Sequence, residues 1–193
     1  MIPDEKEISA LVRRILLDVL EENAVASPEN APEPASPSAS RTIAIAADHG
    51  GYELKQQLIP FLKSLGYSPV DLGTNSKESV DYPDYAFSAA SMVMQGKAES
   101  AIIIDGAGIG SAMVANKVPG VRSSMCYDVA TAHNAREHNH ANVLTLGAGM
   151  IDSTLAREIV KTWLETPWGS GRHARRVAKI MAIEQRFSKE NCH

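Results

Sequence analysis

The stretch that decides the fold is IIIDGAGIGSAMVANK, residues 102–117. It closes a near-continuous apolar run, SAIIID (100–105). Such a run suits a strand whose two faces are both covered. Glycines at 106, 108 and 110 then break the strand, and GSAMVANK starts a short helix. One carboxylate, Asp105, stands at the junction. The turn is open to three readings: a phosphate cradle, a catalytic base on a strand end, or a tight turn with no ligand.

Outward from this stretch, strands and helices alternate. Strands are expected at TIAIAA (42–47), SPVDLG (68–73), VRSSMCY (121–127) and NVLTLG (142–147). Helices are expected at 53–66, 84–96, 129–139, 153–166 and 172–187, with Pro60 kinking the first. The order predicts an α/β fold: a parallel sheet of about five strands with helices on both faces. Ligands of such sheets bind beyond the carboxyl ends of the strands. That rule selects DHGG (48–51), DGAGIG (105–110), YD (127–128) and GAGM (147–150).

Two further zones precede this domain, which spans 41–193. In residues 1–23, Ile8, Leu11, Val12, Ile15, Leu16, Val19 and Leu20 form one stripe at helical spacing. Pro3 and the acidic Asp4, Glu5 and Glu7 suit the start of that helix. Residues 24–40 place Pro28, Pro32, Pro34 and Pro37 among Ala and Ser, the composition of a disordered linker. The net charge of −4 and 5% aromatic content give no basis for a nucleic-acid or anionic-membrane partner. No apolar run reaches the ~20 residues of a membrane span, and the acidic opening MIPDEKEIS is unlike a secretory signal. Two cysteines, Cys126 and Cys192, fit a reducing cytoplasm better than a disulfide framework.

The glycine turn lacks the spacing of a dinucleotide fingerprint, because Ser111 stands where continued glycine spacing would be needed. A sugar phosphate or a negatively charged intermediate would still suit N–H groups at a helix start. Asp105 beside a bound oxyanion would repel it. Asp105 as a base beside an anion hole would be well placed, since the hole holds the charge that proton abstraction creates. The plainer reading of Asp105 is a cap for the following helix.

Asp48 and His49 end the first strand, as catalytic groups or as a turn and cap. His133, His138 and His140 lack the helical pair spacing of a zinc hydrolase and have no cysteine cluster beside them. Arg172 and Arg176 share a helix face at i, i+4, where two guanidiniums match a phosphate. Arg175 lies between them, and Cys126 reads as an inert buried thiol.

Together ADHGGYELK, DYPDYA, GAGIGSAMVANKVPGVR, EHNHANVLTLG and GRHARRVAKI resemble the ribose-5-phosphate isomerase type B family, which includes galactose-6-phosphate isomerase subunits. The resemblance covers about Thr42 to Phe187. It implies a Rossmann-like sheet, and aldose–ketose isomerisation of a sugar phosphate through an enediolate, with no metal or cofactor. It also implies a homodimer, or a dimer of dimers, with sites shared between subunits. By motif, His138 would open the sugar ring and Asp48 would assist at the sugar oxygens. Asn139 and the backbone of Gly106, Gly108, Ile109 and Gly110 would hold the enediolate oxygens. His49, Arg172 and Arg176 would contact phosphate, the arginines from the neighbouring chain. Tyr82 and Asn116 would line the pocket.

Three positions depart from that pattern. Asp105 stands where many members place a cysteine base, Ala107 where a threonine is common, and Gly149 where an arginine is common. Asp105 would serve as the base instead, with Ser111 a replacement hydroxyl. The expected substrate is ribose 5-phosphate, with another pentose or hexose phosphate, or a binding-only homologue, as alternatives. The N-terminal helix and linker resemble encapsulation peptides of enzymes packed into bacterial microcompartments. A shell protein or other cargo would then be the partner of residues 1–23.

Overall fold

The computed structural model describes residues 41–189, with side chains through Phe187. The helix and linker expected at 1–40 lie outside the described residues.

Five parallel strands form one sheet: β1 (Arg41–Ala47), β2 (Tyr67–Asp71), β3 (Ser100–Asp105), β4 (Ser123–Met125) and β5 (Val143–Gly147). Their order is β2-β1-β3-β5-β4. The helices are α1 (Tyr52–Ser64), α2 (Tyr82–Met94), α3 (Ile109–Ala115), α4 (Val129–Asn139), α5 (Ser153–Glu165) and α6 (Arg172–Lys189). From β1 the chain steps outward to β2 and then crosses back to β3. The β1/β3 pair is therefore a point where the strand order reverses, which is where an open parallel sheet leaves a crevice at its carboxyl edge.

Strand alternation divides the core between the two faces. Ile43, Ile45, Ile102, Ile104, Leu144 and Leu146 pack with Leu58 and Leu62 of α1 and Ile159, Val160 and Trp163 of α5. On the opposite face Ala44, Ala46, Ala101 and Ile103 meet Ala86, Ala89 and Ala90 of α2. The small side chains on both partners let α2 lie close to the sheet. Lys55 of α1 is fully buried and its ammonium pairs with Asp71 at the end of β2. A buried ammonium needs such a partner, so this pair fixes α1 against the sheet edge.

Caps set where helices leave the carboxyl edge. Asp128 starts α4 through a capping box with Thr131, whose N–H donates to Asp128 Oδ1 at 2.7 Å. These bonds hold the Asp128 carboxyl below the usual range. Asp152 caps α5 by accepting the N–H groups of Thr154 and Leu155.

Within residues 41–189 the expected elements are present, with two local differences. The strand expected at 121–127 keeps ladder pairing only over Ser123–Met125, because Arg122 is drawn into a turn with Asn142 and Cys126 begins the approach to the Asp128 cap. Helix α1 continues past Pro60, which sits on its exposed side, to Ser64. Among the described residues no helix is long and apolar enough to cross a membrane.

Candidate active site

Asp105 is the last residue of β3 and is 5% exposed. Its Oδ1 accepts the N–H of Ala107 at 2.8 Å and that of Gly108. Its Oδ2 accepts the Ser111 N–H at 3.0 Å and the Ser111 hydroxyl. The glycine turn is thus wound around this carboxylate. Gly108, at φ +80°, sits with its α-carbon pressed to β5, where an added Cβ would lie 3.0 Å from the Leu146 carbonyl carbon. The expectation paired Asp105 as a base with an anion hole made by the turn's N–H groups. In the structure Asp105 itself occupies those of Ala107, Gly108 and Ser111. Ile109 and Gly110 are the first residues of α3, so their N–H groups have no intrahelical acceptor, and the Asp105 and Gly106 carbonyls accept the N–H groups of Ala148 and Gly149.

Asp48 follows β1 on the other side of the β1/β3 crevice and is 8% exposed. Its Oδ1 accepts the Gly51 N–H at 3.0 Å. A Cβ added to Gly50 would lie 3.3 Å from that oxygen and 3.5 Å from the Gly106 nitrogen, so the two turns abut. His49 is exposed, and its Nδ1 accepts the Val80 N–H at 3.2 Å. In the neutral ring the proton then sits on Nε2. Tyr82 opens α2 and lays its ring over Gly110, where a Cβ would come within 2.6 Å of Tyr82 Cζ. Asp48, His49, Tyr82 and the turn 105–111 therefore share the carboxyl edge.

The other predicted residues do not join them within one chain. Helix α4 runs from the carboxyl edge back to the start of β5, which places His138 and Asn139 at the strand-start edge. The sheet separates the two edges by roughly 15 Å, five residues at ~3.3 Å each. His138 Nδ1 meets Asn134 Nδ2 at 2.8 Å, and its Nε2 lies 3.1 Å from Glu137 Oε2. The His138 ring stacks on His173 at 4.1 Å, which brings the start of α6, with Arg172, to the same edge. Arg172 and Arg176 are both exposed. Asn116, expected to line the pocket, instead binds Ser123 at the start of β4 through both its amide nitrogen (2.9 Å) and its oxygen (2.8 Å). A cleft of about 910 Å³ at this edge is lined by Asn116, Arg122, Asn139, Ile180, Ile183 and Phe187.

Sequence reasoning selected Tyr127 within YD (127–128) without giving it a role, and did not single out His173. Tyr127 donates its hydroxyl to the Ala107 carbonyl at 3.0 Å and so braces the glycine turn. Its place at the carboxyl end of β4 was the available signal. His173 lies under His138, and burial, then the neighbouring His138 and Arg172, lower its pKa. Burial pushes the Cys126 thiol up, which leaves it a poor thiolate. His140 bonds the Gly169 carbonyl through Nε2, and His133 faces Glu137.

At the β1/β3 switch point Asp48 stands beside the glycine turn. The model of the family described as Ribose/Galactose Isomerase matches residues 43–180. The chain belongs to this ribose/galactose isomerase family. Ribose-5-phosphate isomerase B of Escherichia coli K12 is 40% identical over 146 residues, 76% of this chain and 98% of the relative. The solved Clostridium thermocellum ribose-5-phosphate isomerase B is 46% identical, with a TM-score of 0.74 over 76% of this chain and 99% of that one. The type B enzyme of Trypanosoma cruzi is 43% identical, with a TM-score of 0.75 over 77% and 99%.

In this member of the ribose/galactose isomerase family, the three departing positions meet at one place. Asp105 accepts the Ala107 N–H, and the Gly149 N–H donates to the Gly106 carbonyl at 3.0 Å. The three positions thus lie at one turn rather than in three separate parts of the chain.

Proposed function

We propose that the chain is an aldose–ketose isomerase of sugar phosphates, converting ribose 5-phosphate to ribulose 5-phosphate through an enediolate. The observation that carries this reading is the placement of Asp48 beside the Gly106–Gly110 turn at the β1/β3 switch point, in a chain of this family. His138 opens the sugar ring, and Asn139 and the backbone of the turn hold the enediolate oxygens. His49, Arg172 and Arg176 bind phosphate, and Tyr82 flanks the pocket.

These groups divide between opposite edges of the sheet, so the working unit is a homodimer, alone or paired, in which each site draws on two chains. Ile109 and Met113 of α3, 46% and 64% exposed beside the turn, support a covering second copy. Kinetic assay of ribose 5-phosphate, followed by other pentose and hexose phosphates, tests the activity. Turnover of one of them is expected. Absence of aldose–ketose exchange with all of them defeats the reading and leaves a binding-only homologue.

We also propose that the enzyme works in the cytoplasm inside a bacterial microcompartment, with residues 1–23 docking on a shell protein or other cargo. The apolar stripe on a Pro/Ala/Ser tether supports this, as does the start of the family match at residue 43. Deleting residues 1–40 is expected to leave turnover intact and to abolish co-purification with shells. Unchanged shell association would contradict it.

A further inference from the structure

Two buried carboxylates stand at the carboxyl ends of the neighbouring strands β1 and β3, and their hydrogen bonding differs. Asp105 receives four donors, all from its own turn: three backbone N–H groups and the Ser111 hydroxyl. Taking a proton from carbon requires an oxygen with an open lone pair and room for the substrate. Freeing one on Asp105 breaks bonds that shape the turn. Asp48 receives one side-chain hydrogen bond, from the Gly51 N–H to Oδ1. Among the described residues no donor reaches its Oδ2. At 8% exposure this is a nearly buried carboxylate with one oxygen that accepts no hydrogen bond, beside the turn at Gly106.

Other bases near these carboxylates in the same chain are excluded on geometry. His49 Nδ1 is occupied by the Val80 N–H. The Cys126 thiol is buried, with its pKa raised by that burial. His138, which reaches the site from the second copy in the reading above, is already assigned there to ring opening.

We infer that Asp48 is the carboxylate that moves the substrate proton, and that Asp105 is a positioning residue that winds and holds the glycine turn. This rests on the isomerase reading above. In the open-chain aldose, Asp48 Oδ2 takes the C2 proton. The C2–H pair forms the C1=C2 bond, and the carbonyl π pair moves onto O1, giving the enediolate. The Asp48 carboxyl then returns its proton to C1 as the double-bond pair forms the new C–H bond. The O2 proton passes to O1 and the O2–H pair closes the C2 carbonyl. No atom is gained or lost, and Asp48 ends as it began.

The test uses the full chain and its Asp48→Asn, Asp105→Asn and Ser111→Ala variants. Turnover is read with ribose 5-phosphate, and binding is read with ribitol 5-phosphate, which has no carbonyl and cannot isomerise. Asp48→Asn is expected to bind ribitol 5-phosphate within about threefold of wild type while kcat falls by ~100-fold or more. Asp105→Asn is expected to lower the melting temperature and raise KM, with kcat falling ~10-fold or less. Ser111→Ala should show the same split, more weakly. If Asp48→Asn is poorly folded, Asp48→Ala with added formate replaces it, and formate is expected to restore turnover there but not in Asp105→Ala. Near wild-type kcat in Asp48→Asn overturns the assignment. So does an ~100-fold loss of kcat in Asp105→Asn at unchanged KM and melting temperature, or formate rescue confined to Asp105→Ala. A wild type silent toward every sugar phosphate defeats the isomerase reading itself, an outcome distinct from any ordering of variants.

Discussion

Ser111 gives both its backbone N–H, at 3.0 Å, and its hydroxyl to one oxygen, Oδ2 of Asp105. The two residues lie at opposite ends of the glycine turn, so this pair of hydrogen bonds closes the loop on itself. Its neighbour Oδ1 takes the Ala107 and Gly108 N–H groups.

Removing the hydroxyl leaves the carboxylate with three donors in a buried place. Ser111→Ala is therefore expected to cost about 1–2 kcal/mol of stability. Urea unfolding would show a lower midpoint at an unchanged slope. An unchanged midpoint would mean that the hydroxyl contributes nothing to the turn.

Gly110 has room for no side chain under Tyr82, whose Cζ would lie 2.6 Å from an added Cβ. Gly110→Ala must push the ring aside, at about 1–3 kcal/mol. Tyr82→Ala removes the obstacle, so the double variant should be less destabilised than the sum of the singles. Additive losses in a double-mutant cycle would show that the ring yields freely.

The sequence made most of this frame legible. The run of Ile102, Ile103 and Ile104 marks a strand covered on both faces, and each is essentially fully buried in the sheet. Asp128 and Asp152 mark helix starts because a cap is a local contact between neighbours in sequence. The state of Asp105 is also local, yet two arrangements of one turn were open: a carboxylate aimed outward, or one bound by its own loop. Only the backbone path, with Gly108 at φ +80°, decides between them. The resemblance groups Asn116 and His138 with Asp48, although in a parallel sheet the ends of their helices lead back to the strand-start edge. Residues 1–40 lie outside the described structure.

His173 provides a test of pH dependence. Its imidazole is held below the ordinary value of 6.5 by burial, by His138 and by Arg172. The unfolded ring therefore binds a proton first as pH falls below that value. Stability is lost progressively from about pH 6.5 downward to the lowered folded pKa. In His173→Gln this loss disappears, so its urea midpoint should fall less than that of wild type between pH 7 and pH 5. Parallel curves would contradict this sign.

The division of the site between two edges predicts complementation. Asp48→Asn and His138→Asn homodimers should each be nearly inactive. After mixing and subunit exchange, a heterodimer carries one site with both native groups. Up to about a quarter of wild-type activity should return. No recovery, with exchange verified, would place both residues in one chain's site or remove one of them from the chemistry.

The central claim is isomerisation of a sugar phosphate by proton transfer between C2 and C1. Its most direct test is proton magnetic resonance of ribose 5-phosphate with the full chain in deuterium oxide. The predicted result is formation of ribulose 5-phosphate, with solvent deuterium at C1 in the fraction of turnovers in which the Asp48 carboxyl exchanges before it returns its proton. Ribose 5-phosphate that keeps its C2 proton and yields no ketose would contradict its assignment as the substrate.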